Sequence, residues 1–297
     1  MKFFTSNVLM LLQLLRIYQW SKNGLVLLPL VFAQQLGDPV SVVRSIIATF
    51  AFCLAASATY IINDLLDYEQ DRQHPRKSLR PVPAGNISRG GALSIALLLL
   101  FAALGTGVAL GTSFLLALVV YLLMTFSYSI LLKNIFIVDV IVVALGFVIR
   151  AIAGAVAIHV VFSNWLIVCT LFLALFLALG KRRGEMALLE KDARNHREVL
   201  HHYNITFIDQ MLVVVAGGAL ITFTIYTCSP EVVERLGTDK LYMTLPFVVY
   251  GLARYLWLIQ RNETGDPSLA LLKDVPTCVA VMLWTVTCIL IIYTTGF

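Results

Sequence analysis

The chain has 297 residues, of which 59% are hydrophobic and only 13% charged, with a formal net charge of +5. Soluble domains carry about 25% charged residues, so this composition excludes a soluble globular fold and makes lipid the solvent for most of the chain. Charge never collects into a polar block of its own. The expectation is therefore an all-α integral membrane protein, with residues 1–297 forming a single polytopic membrane domain.

In chain order, Lys2 precedes a short apolar run at 8–15 that ends before Arg16, with no small-residue cleavage site. This reads as an interfacial helix rather than a signal peptide. A membrane helix needs about 20 mostly apolar residues. Nine candidates follow, at roughly 23–36, 43–63, 91–110, 113–132, 135–157, 162–180, 210–228, 241–260 and 275–296, the first of them short and containing Pro29. Gly105, Gly107 and Gly111, on and just after the third candidate, read as close helix packing. The cysteines (Cys53, Cys169, Cys228, Cys278, Cys288) show no metal or CxxC spacing and read as membrane-buried thiols, with no disulfide framework.

Basic residues bunch in alternate loops. Arg72, Arg76, Lys77, Arg80 and Arg89 follow the second span, Lys133 the fourth, Lys181, Arg182, Arg183, Lys191, Arg194 and Arg197 the sixth, and Arg261 and Lys273 the eighth. The opposite loops hold only Arg44, Arg235 and Lys240. This is a topology signal rather than a nucleic-acid signal. It places the N-terminal segment and the basic loops in the cytoplasm, and nine spans then leave Phe297 outside. Cytoplasmic caps are expected at about 66–90, 133–135 and 181–209. His201 and His202 in the last of these read as solvated surface.

Chemistry concentrates after the second span, in "YIINDLLDYEQDRQHPRKSLRPVPAG". Asp67 and Asp71 lie three and seven positions beyond Asp64, so the three carboxylates share one helical face. Such a stripe repels itself unless a cation sits within it. Mg²⁺ takes one or two carboxylates together with phosphate oxygens and waters. Pro75 ends the helix, and Arg76, Lys77 and Arg80 follow as phosphate-binding bases. Acids beside bases point to an anion that arrives with its cation.

"NDLLDYEQD" resembles the NDxxDxxxD motif of the UbiA-type prenyltransferase superfamily. That resemblance covers about residues 16–296 and implies nine transmembrane helices around a central cavity with cytoplasmic loop caps. A second acidic motif, DxxxD, is expected at the end of helix six, but here the sequence reads "LALGKRRGEM", leaving Lys181 and Glu185 at that spacing. One branch, the decaprenyl-phosphate phosphoribosyltransferases, is similar in "LRIYQWSKN", "RAIAGAVA", "GKRRGE" and the "RQHPRKSLRP" continuation. The branch implies a multi-pass plasma-membrane enzyme, active at the cytoplasmic face and supplying an arabinan precursor for cell-wall biosynthesis. Its partners are phosphoribosyl diphosphate and a polyprenyl phosphate, and its cofactor is Mg²⁺.

On that resemblance Asn63, Asp64, Asp67 and Asp71 hold magnesium and the diphosphate, and Lys77 and Arg80 contact phosphate or ribose oxygens. Lys133, Arg150, Lys181 and Arg182 hold the remaining phosphates, Lys181 standing in for the second magnesium. Lys22 and Asn23 resemble cavity-facing residues, whereas Trp20 beside them reads equally as an interfacial anchor. Tyr128 and Lys133 resemble a YxxxK element, although the tyrosine lies one residue too far away. Tyr128 also reads as an aromatic-belt residue. Asp139 and Arg150 share a face of helix five about 16 Å apart, too far to pair. Arg150 reads as a functional or cavity-lining charge, and Asp139 is left open.

Two rivals remain at this stage. An aromatic prenyltransferase using prenyl diphosphate is disfavoured by the missing second acid pair. A transporter is disfavoured because charge collects at one membrane face and no repeat is evident.

Overall fold

A computed structural model describes residues 2–73, 77–189, 203–261 and 274–294. The described residues form helices and turns, with no strand among them. The helices are α1 Lys2–Leu15, α2 Leu28–Phe32, α3 Pro39–Leu66, α4 Tyr68–Gln73, α5 Arg89–Leu110, α6 Thr112–Ile130, α7 Val138–Ala157, α8 Asn164–Leu189, α9 Ile205–Cys228, α10 Pro230–Leu236, α11 Leu245–Gln260 and α12 Val275–Thr294. Among the described residues eight helices are long and apolar enough to cross a membrane, which makes this a multi-pass membrane protein.

The first of the nine expected spans is not a membrane-length helix. Residues Ile17–Leu27 wind as a 3₁₀ helix and pass into the five-residue α2, which stops before Gln34 at φ 56°. The apolar count there was correct, but Gly24, Pro29 and the polar Gln34–Gln35 pair interrupt a continuous α-helix. Arg76, Pro75, His201, His202, Lys191, Arg194, Arg197, Lys273 and Phe297 lie outside the described residues, as do residues 190–202 of the cap expected at 181–209.

The chain divides into two compact units: residues 1–30, 38–130 and 149–160, and residues 31–37, 131–148 and 161–297. In the first unit α3 packs along α5 and against the 3₁₀ segment. One core there gathers Val26, Phe52, Phe114, Leu118 and Tyr121, and a second gathers Leu14, Ile61, Val82 and Ala96. Small residues permit the closest approach: a Cβ on Gly154 would stand 2.1 Å from the Val26 carbonyl oxygen. Of the glycines expected to pack helices, only Gly107 does so, against Leu115 and Leu118. Gly105 faces open space, and Gly111, at φ 116°, ends α5.

Helix ends are tied down locally. Asp38 accepts from the Val40 and Ser41 amides at the start of α3, and its carboxylate is held below its ordinary pKa chiefly by its hydrogen bonds to Ser41. Arg44 donates to the carbonyls of Leu110 and Ala157, the last residues of α5 and α7. In the second unit α8 packs along α9 and α11 along α12, around a core that includes Phe176, Ile208, Leu212 and Tyr255. There Gln34 donates to the carbonyls of Leu236 and Ile292, joining the ends of α10 and α12.

Candidate functional site

The acidic motif keeps its helical register across a helix boundary. Asp67 separates α3 from α4, yet its amide still donates to Asn63 O and its carbonyl accepts from the Asp71 amide. Asp64 and Asp71 are 2% and 1% exposed, so their charges have to be matched within the protein.

Three cations match them. Arg80 Nη1 lies 2.9 Å from Asp64 Oδ1 and 2.7 Å from Asp71 Oδ2, and Lys77 Nζ lies 3.3 Å from Asp71 Oδ1. Arg16 pairs with Asp64 as well. Asp67 Oδ2 accepts from Asn63 Nδ2 at 3.1 Å. Residues 77–85 can deliver Arg80 because they are anchored: Val82 is buried in the core beside Ala58 and Ile61, and Gly85 turns the chain at φ 77°. Arg16, which in the sequence only marks the end of the first apolar run, was not among the expected site residues. Its backbone is left-handed (φ 50°, ψ 48°), and its guanidinium stacks 4.7 Å from the Tyr60 ring centroid.

No group of three or more His, Cys, Asp or Glu side chains suited to a metal occurs among the described residues. The donor chemistry nevertheless fits Mg²⁺. A single nitrogen of Arg80 already sits between oxygens of Asp64 and Asp71, and the ion needs only one or two carboxylates when phosphate supplies the rest.

In the second unit the end of α8 forms a second charged cluster. Asp139, fully buried, accepts from Arg182 Nε at 2.6 Å and from the Tyr203 hydroxyl at 2.6 Å. Arg182 also pairs with Glu185. Ile137, at φ 66°, is an outlier for a β-branched residue. Its amide donates to the same Tyr203 hydroxyl at 3.1 Å, which fixes the turn that starts α7. Burial first, and then the Asp139 carboxylate, push the Tyr203 phenol well above its ordinary pKa, so it stays protonated and donates. Arg183 binds Asp209 and the Ile259 carbonyl. Lys181 is exposed. Arg182, expected to hold phosphate, thus has its charge matched by Asp139 and Glu185. The partners Tyr203 and Asp209 carried no motif that could have announced them.

Arg150 and Asn23 form a third, buried group in the first unit. Arg150 Nε donates to Asn23 Oδ1 at 2.7 Å and Nη2 to the Tyr121 hydroxyl at 2.8 Å, while Asn23 Nδ2 contacts Cys53 Sγ. Trp20 is bound within the protein, its Nε1 donating to Ser57 Oγ, which itself donates to the Leu15 carbonyl. Lys22 is half-buried on the 3₁₀ segment, Tyr128 half-buried near the end of α6, and Lys133 half-buried on the 3₁₀ turn Leu132–Asn134.

Known proteins resemble the chain over most of its length. Residues 25–274 match the model of the UbiA prenyltransferase family. The chain is 32% identical over 274 residues to a decaprenyl-phosphate phosphoribosyltransferase from Mycolicibacterium smegmatis, covering 89% of this chain and 86% of that protein. It is 29% identical to a protein of the same name from Corynebacterium glutamicum, covering 95% and 86%. Its fold is similar to that of a UbiA homolog from Archaeoglobus fulgidus solved bound to GPP and Mg²⁺, with a TM-score of 0.72 at 19% identity, covering 97% and 99% of the two chains. By the extent of these matches, the chain belongs to the UbiA prenyltransferase family.

Proposed function

We propose that the chain transfers 5-phosphoribose from phosphoribosyl diphosphate to a polyprenyl phosphate, releasing pyrophosphate, at the cytoplasmic face of the plasma membrane. The observation that carries this reading is the end of α8. Where the family resemblance leads one to expect a second acid pair, the chain has Lys181, Arg182 and Arg183. The relatives named for this activity, matched over most of the chain, support it.

The reaction is a substitution at the anomeric carbon. A phosphate oxygen of the lipid forms the new C1–O bond, and the C1–O bond to the diphosphate breaks. The nucleophile is already an anion, so no strong general base is required. Catalysis rests on holding two anions that repel and on neutralising the leaving group. Asn63, Asp64, Asp67 and Asp71 would hold Mg²⁺, which supplies positive charge to the departing diphosphate. In this reading Lys77 and Arg80 bind diphosphate oxygens, and Lys22, Lys133 and Lys181 bind the other phosphates. Arg150 and Arg182, tied to Asn23, Tyr121, Asp139 and Glu185, position their neighbours. Glu185 acts through Arg182, and Tyr128 borders the Lys133 turn in sequence.

The test is to incubate purified protein with labelled phosphoribosyl diphosphate and polyprenyl phosphate, and separately with prenyl diphosphate and aromatic acceptors. Label in the lipid fraction of the first mixture alone is expected. Product only in the second would replace this reading with aromatic prenyl transfer.

A further inference from the structure

Arg80 holds the two carboxylates best placed for a metal and is also, in the proposed function, a diphosphate ligand. Resting on that reading, we propose that the acidic ridge neutralises itself in the ligand-free chain and accepts a divalent metal only together with a diphosphate, Arg80 passing from carboxylate to phosphate as the pair enters.

Asp64, Asp67 and Asp71 carry three formal negative charges, and Arg16, Lys77 and Arg80 bring three positive ones to Asp64 and Asp71. A bare divalent ion therefore meets no net attraction and finds the carboxylate oxygens engaged. Before it can coordinate Asp64 or Asp71, a cation has to leave and find another acceptor. A diphosphate provides that acceptor, in a geometry the guanidinium fork matches.

The cations differ in freedom. The Arg16 side chain is 12% exposed and stacks on Tyr60, whereas those of Arg80 and Lys77 are 30% and 37% exposed. Arg16 is the fixed partner that keeps Asp64 oriented. Arg80 and Lys77 are the partners that exchange. Linkage makes the effect reciprocal: diphosphate raises metal affinity by the factor, on the order of 5–150-fold, by which metal raises diphosphate affinity.

The experiment is calorimetric titration of the full chain in nanodiscs with Mn²⁺ alone, with inorganic pyrophosphate in chelator, and with the two together. Wild type should bind Mn²⁺ alone weakly and the pair tightly. Arg80→Gln should bind Mn²⁺ alone at least about fivefold tighter, the lower end of that coupling range, and lose most of the enhancement by pyrophosphate. If Arg80→Gln does not fold, Lys77→Gln, which removes a more exposed cation, should move both readings in the same direction. Wild type binding Mn²⁺ alone as tightly as the folded variant overturns the proposal. Neither phosphoribosyl diphosphate nor lipid is present, so that failure leaves phosphoribosyl transfer standing. Intact coupling without transfer would overturn the proposed function instead.

Discussion

Arg182 and Asp139 meet at 2.6 Å with both side chains almost wholly buried, at 4% and 0% exposure. They lie 43 residues apart in sequence and join the start of α7 to the end of α8. Removing Asp139 takes from Arg182 its fully buried partner and leaves it with the part-exposed Glu185. Asp139→Leu and Arg182→Met alone are each expected to cost about 3–5 kcal/mol, whereas the double variant Asp139→Leu/Arg182→Met should cost much less than their sum, because an apolar pair of similar volume is often neutral. Thermal unfolding of the single and double variants in detergent measures the coupling. Additive losses would show that the pair does not act as a unit.

Asp64→Asn preserves shape and one acceptor oxygen but removes the charge that meets Arg16 and Arg80. On the proposed function it should lower metal-dependent turnover by about 10²–10³-fold, as loss of a group stabilising transition-state charge does, while the protein remains monodisperse on size-exclusion chromatography. Normal turnover would remove Asp64 from the site.

Lys181 is exposed, so Lys181→Asp should leave the unfolding midpoint nearly unchanged. On the proposed function it should slow phosphoribosyl transfer by about tenfold or more, since one phosphate contact is lost and a repulsion gained. An unaffected rate at subsaturating lipid phosphate would contradict the role given to the lysine.

Two glycines make opposite predictions. Gly154→Ala drives a methyl group to 2.1 Å from the Val26 carbonyl oxygen and should destabilise by about 1–3 kcal/mol. Gly105→Ala meets nothing within 4 Å and lies within α5, so it should be neutral or stabilise by about 0.5–1 kcal/mol. Unfolding midpoints of the two variants, measured side by side, decide the matter.

Asp274 caps α12 through the Thr277 amide and hydroxyl and binds both Arg254 Nε and Nη2. The Arg254 hydrogen bond first, and then those from Thr277, depress its pKa. A carboxylate depressed in the folded state contributes stability above its unfolded pKa of about 4 and loses it as pH falls through the folded value. Asp274→Asn should therefore lower the unfolding midpoint at neutral pH, with the difference from wild type shrinking as pH drops below about 4. A constant difference down to the most acidic readable pH would assign the effect to packing instead.

Much of this was legible in one dimension. Long apolar runs determine eight of the membrane-length helices, because in lipid a helix satisfies its own backbone and needs no distant partner to be recognisable. The three-and-seven spacing of the Asp64 motif likewise determines its shared face, since helical register is a local property. The 3₁₀ path of Ile17–Leu27, which lies against α3, was not legible, because apolar composition there matches that of a short span.

Charge partnership between separate helices was decided by tertiary structure alone, whereas Arg182 and Glu185 meet within one turn of α8. Arg16 reaches Asp64 across 48 residues and Tyr203 reaches Asp139 across 64. Sequence placed those charges and determined that a membrane chain has to neutralise them. Which cation meets which carboxylate depends on where separate helices bring their ends, and no local periodicity encodes that.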